Sequence, residues 1–314
     1  LRRRGVLARG ENALESLAQC THLVFDKTGT LTTGTLRVHS VRLLGELDRE
    51  QVLTLCSALQ QHSSHPIASA FDDVLPAALD SAELHVGAGV AGRDSRFRYR
   101  MGSAAFCSEM TPGLAQQPTE DLVWVALVRE DAPLAWIGLQ DTTRPEAREI
   151  VGHAQACGLQ VELLTGDHSP RGPALARTLG MDAERHGQTP EDKLRHVHAL
   201  QDAGAVVCMV GDGVNDGPVL GGADTSFAVA GSSDLARSQA DFVVLDGNLG
   251  RIEETLRVAR RCRVIIRQNF AWALLYNISA IPLAAAGFVP PWVAALGMSL
   301  SSLLVVGNSL RLRR

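Results

Sequence analysis

Asp26-Lys27-Thr28-Gly29-Thr30-Leu31-Thr32 follows directly on the apolar run His22-Leu23-Val24-Phe25, and this junction sets the reading of the chain. A short apolar run that meets a polar, Gly-containing stretch reads as a buried strand entering a loop. A carboxylate at that position, Asp26, is placed to attack phosphorus and form an acyl phosphate. The glycine and hydroxyl residues behind it supply N–H and O–H groups for phosphate oxygens. Position 28 separates two chemistries. A second Asp there would act as general acid and base and give a phosphatase that turns over quickly. The residue is Thr28, which cannot take a proton from water, so the acyl phosphate is expected to persist.

Working outward, three further motifs carry chemistry, two of them after strand-like runs and one at a helix start. Thr165-Gly166-Asp167 follows Val161-Glu162-Leu163-Leu164, and its hydroxyl and amide groups suit a phosphoryl oxygen. Pro190-Glu191-Asp192-Lys193 opens a helix and supplies a fixed positive charge, Lys193, for a phosphoryl group in transfer. Gly211-Asp212-Gly213-Val214-Asn215-Asp216 follows Val206-Val207-Cys208-Met209-Val210. Two carboxylates on a Gly-rich turn suit Mg²⁺, a hard cation that takes oxygen ligands. Asp212 is expected to bind the metal directly, and Asp216 to ligate it or to hold its ligands in place. Between these motifs strand-like and helical runs alternate, which implies a parallel sheet with helices on both faces. Active sites in such sheets lie at the C-terminal ends of the strands.

The stretch from about Val41 to Trp136 breaks this rhythm with one helix-like run and several strand-like runs joined by Gly turns, an α+β insert. The chain is acidic up to residue 250, which excludes a nucleic-acid footprint. From Arg251 onward nine Arg stand against two Glu. This basic segment flanks two apolar runs, residues 269–289 and 292–310, separated by Pro290-Pro291 and free of Lys, Arg, Asp and Glu. Each is long enough to cross a bilayer as a helix, and the flanking arginines predict a hairpin with both ends cytoplasmic. Six scattered cysteines without a C-x-x-C pair exclude zinc-site spacing and indicate free thiols in a reducing compartment. The first 20 residues hold no apolar core, so they are not a signal peptide, and they read as the end of something upstream.

The four motifs in this order resemble the P-type ATPases, within the haloacid-dehalogenase-like fold. The resemblance implies a doubly wound α/β sheet with an inserted nucleotide-binding domain, followed by a transmembrane hairpin. It divides the chain into a stalk (1–20), a phosphorylation domain (21–40 and 137–256), a nucleotide domain (41–136) and a membrane part (257–314). It also implies phosphorylation of Asp26 by ATP, with Thr165, Gly166, Asp167, Lys193 and Asn215 assisting. Mg²⁺ would be held by Asp26, the Thr28 carbonyl, Asp212 and Asp216. Asp141 and Arg144, in Asp141-Thr142-Thr143-Arg144-Pro145, match the family's hinge. Ser64-His65-Pro66 and Gly87-Ala88-Gly89-Val90-Ala91-Gly92 look like the nucleotide elements of the heavy-metal branch, with His65, Pro66, Gly87, Gly89 and Gly92 toward ATP. Ser64 departs from the Glu usual before His-Pro, His168 from the Asn usual after Thr-Gly-Asp, and Val219 is a further departure.

Tyr276-Asn277 in the first apolar run, and Met298 and Ser301-Ser302 in the second, match the copper(I)-transporting subgroup. Cu(I) is soft and favours sulfur donors such as Met298. The expectation is an exporter of Cu(I) in a bacterial inner membrane, multi-pass, with cytoplasmic catalytic domains and a copper chaperone as donor. The family's actuator domain and earlier membrane helices are expected upstream. A Zn/Cd-type pump, a soluble phosphatase or phosphotransferase of the same fold, and a remnant that binds without turnover are the other readings.

Overall fold

His22–Asp26 forms a strand in the interior of a seven-stranded sheet. The computed structural model describes residues 5–10, 12–61, 63, 65–120, 122–212, 216–229 and 238–313. The chain divides into two units, one of Leu1–Asp26, Glu146–Gly166 and Leu175–Arg314, the other of Lys27–Pro145 and Asp167–Ala174.

In the first unit the strand order is Val6–Ala8, Phe242–Val244, Thr225–Ala228, Val207–Gly211, His22–Asp26, Gln160–Leu164, Ala183–Arg185. Every pairing is parallel except that of the edge strand Val6–Ala8. The apolar runs are continuous rather than alternating because both faces of the sheet are covered, as in doubly wound folds. Val24, Phe25, Val207, Met209 and Val210 are fully buried. The register sets Asp26 opposite Leu164, and Phe25 opposite Val210, so the three central strands end together. Asp26, Thr165 and Asp212 therefore leave the sheet at one edge.

The second unit is a six-stranded antiparallel sheet in the order Thr32–Leu43, Ala132–Thr143, Val123–Arg129, Arg98–Gly102, Gly89–Arg93, Ser81–His85. One side packs Leu127, Ile137, Met101 and Phe71 under the helix Arg49–Gln60. That helix starts at a capping box between Asp48 and Gln51. The other side packs Trp124 and Trp136 with Phe106 and Cys107. The strands Thr32–Leu43 and Ala132–Thr143 run through positions 41 and 136 without a break.

The basic segment and the first apolar run form one helix, Gly250–Ala285. Its first part is amphipathic, with Ile252, Leu256 and Ala259 buried. Arg260 donates to the Cys157 carbonyl at 2.9 Å, and Glu253 pairs with His153 at 2.7 Å. Beyond Ile266 the apolar side chains point outward, with Phe270, Leu275 and Ile281 exposed, as they do in the second helix, Pro291–Ser309. Such continuous exposed apolar surface is rare on soluble monomers and marks a face that meets lipid or protein. The first run differs from expectation in two ways. It ends at Ala285 rather than 289, where Gly287 turns the chain at φ 78°. Among the described residues, only Pro291–Leu312 is long and apolar enough to cross a membrane by length and composition. The polar Asn269, Tyr276, Asn277 and Ser279 dilute the first run.

Candidate active site

Asp26, Asp212 and Asp216 are the one group of three metal-capable side chains among the described residues, with ligand atoms all within 4.8 Å of one another. Asp26 ends the central strand, Asp212 follows the adjacent strand, and Asp216 immediately precedes the helix Gly217–Gly222. Asp26 and Asp216 are buried. Lys193 comes from the helix Pro190–Asp202, whose start is fixed by Pro190 and a capping box between Thr189 and Asp192. Its ammonium donates to Asp26 Oδ1 at 2.6 Å and to Asp216 Oδ1 and Oδ2 at 2.9 and 3.1 Å.

The electrostatics follow from this crowding. Burial pushes the Asp26 carboxyl up to about 6; Lys193 opposes the shift, and the charges of Asp216 and Asp212 reinforce it. Burial works to lower Lys193, but Asp26 and Asp216 outweigh it and hold the ammonium above its ordinary value. Three carboxylates around one ammonium leave an excess of negative charge on hard oxygen donors. The donor set therefore fits Mg²⁺, which favours such oxygens and would offset that excess.

Thr165 is buried beside this edge, its N–H donating to the Arg185 carbonyl and its carbonyl accepting from Gln188 N–H. Gly166 leaves little room, since a Cβ there would lie 3.3 Å from the Gln188 carbonyl oxygen. Asn215, with Gly213 and Val214, lies outside the described residues.

In the second unit, Lys27–Leu31 make a tight turn in which Thr28 is extended and exposed and Gly29 takes φ 70°. Arg144 and Asp141 bind this turn and the strand after it. Arg144 donates to the carbonyls of Thr30 at 2.8 Å and Gly29 at 3.0 Å. Asp141 accepts from the Thr32 hydroxyl and from Gly34 N–H. Asp167 pairs with Lys27 and accepts from Ser169 N–H at 2.9 Å. Burial works to raise its carboxyl, but the hydrogen bonds from Lys27 and Ser169 hold it down at about 2.

His65, Gly87 and Gly89 line a cavity of about 260 Å³ in this unit, and Pro66 and Gly92 do not. Gly92 instead packs over the core: a Cβ there would come 2.6 Å from Leu59 Cδ2. Gly89 and Gly102 face each other across paired strands so closely that a Cβ on Gly102 would lie 2.2 Å from the Ala88 carbonyl oxygen. The cavity also holds a residue the sequence does not single out. Gln60, at the end of the helix Arg49–Gln60, lines it while buried. Its side-chain oxygen Oε1 has no hydrogen-bond partner, whereas its side-chain nitrogen Nε2 reaches Met101 Sδ at 3.7 Å.

Between the two C-terminal helices, Tyr276, Asn277 and Met298 line a second cavity of about 570 Å³. The helices approach closely at Gly297, where a Cβ would sit 2.8 Å from the Tyr276 hydroxyl. Ser301 and Ser302 do not line it; Ser301 accepts from Trp272 Nε1 at 3.2 Å.

Residues 20–224 match the haloacid dehalogenase-like hydrolase family. The nitrogen fixation protein FixI of Rhizobium leguminosarum bv. viciae is 37% identical over 99% of this chain and 40% of its own length. The probable copper-transporting ATPase SynA of Synechococcus is 36% identical over 98% of this chain and 41% of its own length. The crystal structure of a zinc-transporting PIB-type ATPase in an E2.Pi state superposes with a TM-score of 0.87 at 30% identity, covering all of this chain and 53% of that one. The chain thus spans about two-fifths of the length of these curated relatives. It belongs to the haloacid dehalogenase-like hydrolases, and its relatives along nearly its whole length are heavy-metal P-type ATPases.

Proposed function

We propose that this chain is the catalytic portion of an ATP-driven Cu(I) exporter that works through an aspartyl phosphate at Asp26. The observation that carries the reading is the buried Asp26 carboxylate, bonded to Lys193 and grouped with Asp212 and Asp216 at one sheet edge. An Asp26 oxygen bonds to the γ-phosphorus of ATP as the bond to the bridging oxygen breaks, and ADP leaves. The Lys193 ammonium, already between Asp26 and Asp216, offsets charge on the phosphoryl oxygens. Asp26, Asp212 and Asp216 would hold Mg²⁺, which when bound neutralises charge on the transferring group. Thr165 and Gly166 offer a hydroxyl and an amide to phosphoryl oxygens, Asn215 assists, and Asp167 with Lys27 fixes the loop beyond. Thr28 cannot activate water, so the intermediate lasts long enough to drive a conformational step. His65, Gly87 and Gly89 would receive ATP, and the Gln60 carbonyl offers an acceptor to the exocyclic amino group of adenine.

Cu(I) is the proposed cargo because the Met298 thioether lies with Tyr276 and Asn277 on the cavity between the helices. Ser301 and Ser302 would act from the same helix, and a copper chaperone would deliver the ion. The whole pump would be multi-pass in a bacterial inner membrane with its catalytic units in the cytoplasm, and would include an actuator domain and further membrane helices. The likeness to a zinc-transporting structure supports a Zn/Cd reading as the second one.

Incubation with γ-labelled ATP and Mg²⁺ tests the catalytic half. Acid-stable label that hydroxylamine releases, and that Asp26→Asn abolishes, is expected; wild-type protein that takes no label overturns the reading. ATPase activity of the whole pump should rise with Cu(I), and stimulation by Zn²⁺ alone would transfer the assignment to the zinc branch.

A further inference from the structure

Glu162 is a charged residue among the apolar Val161, Leu163 and Leu164 of the strand Gln160–Leu164, and it is buried. A buried carboxylate carries a large desolvation cost unless it is paired. Its partner is His196, whose Nε2 lies 2.8 Å from Glu162 Oε2, with both side chains largely shielded from solvent. His196 stands on the helix Pro190–Asp202, three residues after Lys193, so the two side chains share a helix face one turn apart.

The geometry of the sheet matches that spacing. Asp26 lies opposite Leu164 and Val24 opposite Glu162, so Asp26 and Glu162 rise from adjacent strands on the same face. Their Cα atoms are about 8 Å apart, from two residues along the strand and one strand across. The helix therefore meets the sheet at two polar points, Lys193 on Asp26 and His196 on Glu162. Between them Val197 and Leu194 pack with Val24, Leu164 and Met209.

The two points differ in one respect. The bond from Lys193 to Asp26 depends on the charge of Asp26, which phosphoryl transfer alters, and only the bonds to Asp216 then remain to the ammonium. The bond between His196 and Glu162 does not. We propose that the Glu162–His196 pair is a positioning device for the phosphoryl-transfer step: it holds the helix in place so that Lys193 stays on the reacting group while the Asp26 carboxylate is consumed. This rests on the aspartyl-phosphate reading of Asp26. Neither residue touches the reacting atoms.

The test compares four forms of the full chain for initial rate of Asp26 labelling at saturating and limiting ATP, with thermal stability measured on the same samples. His196→Leu should cut the maximal labelling rate by about 10–100-fold with the half-saturating ATP concentration unchanged. His196→Gln, which can still donate to Glu162, should restore most of the rate. The double variant Glu162→Leu/His196→Leu removes the buried charge with its partner. It should recover stability while its labelling stays slow. If labelling returns with stability in the double variant, the pair is only structural and the proposal is overturned. The proposal is equally overturned if His196→Leu labels at the wild-type rate. Wild-type protein that takes no label refutes the aspartyl-phosphate reading itself, a different result from labelled wild type with indifferent variants.

Discussion

Replacing Gln60 by Met should stabilise the protein and weaken its hold on ATP at the same time. Gln60 lies at the cavity with a buried carbonyl oxygen that has no partner, and its amide makes only a sulfur contact. A buried polar group without a partner costs about 1–3 kcal/mol. Methionine has nearly the same length and volume and no such oxygen, so the nucleotide-free variant should gain about 1 kcal/mol. In the bound state the sign reverses. An adenine amino group that donates to this oxygen satisfies it, and the variant loses that bond. A loss of about 1–2 kcal/mol corresponds to about 5–30-fold weaker binding. Isothermal titration with a non-hydrolysable ATP analogue, together with thermal unfolding of the nucleotide-free protein, reads both numbers. Unchanged affinity would show that the oxygen does not meet the base. A variant that is less stable than wild type would show that the oxygen is not an unmet acceptor, and either result refutes the reasoning.

Lys193→Met leaves Asp26 and Asp216 buried without their shared cation. Breaking such a pair costs about 3–5 kcal/mol, so chemical denaturation should show a loss of that order and labelling of Asp26 should vanish; a stable variant that labels normally contradicts the role of the ammonium. Gly102→Ala places a Cβ 2.2 Å from the Ala88 carbonyl oxygen and 2.7 Å from Gly89 Cα. Backbone must move to admit it, and thermal unfolding should register a loss of about 1–3 kcal/mol, with weaker nucleotide binding because Ala88 and Gly89 line the same cavity. Asp167, held at about 2, is lowered from its ordinary 3.8. Its contribution to stability is therefore present above pH 3.8 and lost as pH falls through about 2. An acid titration of stability should lose that limb in Asp167→Asn and keep it in wild type.

Much of the site is legible without coordinates because phosphoryl chemistry restricts residue types at strand ends. Asp26, Thr165, Asp212 and Lys193 each sit beside an apolar run or at a helix start, where local pattern and chemistry agree. The parallel sheet is legible for the same reason, since apolar runs alternate with amphipathic ones. The glycines of the second unit show the limit. Gly87, Gly89 and Gly92 form one spaced string, yet only the first two line the cavity, because Gly92 lies farther along the strand, packed against Leu59.

The chain's own order of residues determines the carboxylate proposed as nucleophile, the lysine proposed to serve it and the absence of a second Asp at position 28. Those are chemical identities, and no packing alters them. Tertiary structure decides what surrounds them. It brings Asp26, Lys193 and Asp216, far apart in sequence, into one hydrogen-bonded cluster. It buries Glu162 against His196, leaves the Gln60 side-chain oxygen without a partner, and places Met298 but not Ser302 on the cavity between the helices. Burial and partnership are properties of several segments at once. A Gln at a helix end or a Glu in a strand carries no local mark of either, and only the closed fold gives them their energetic meaning.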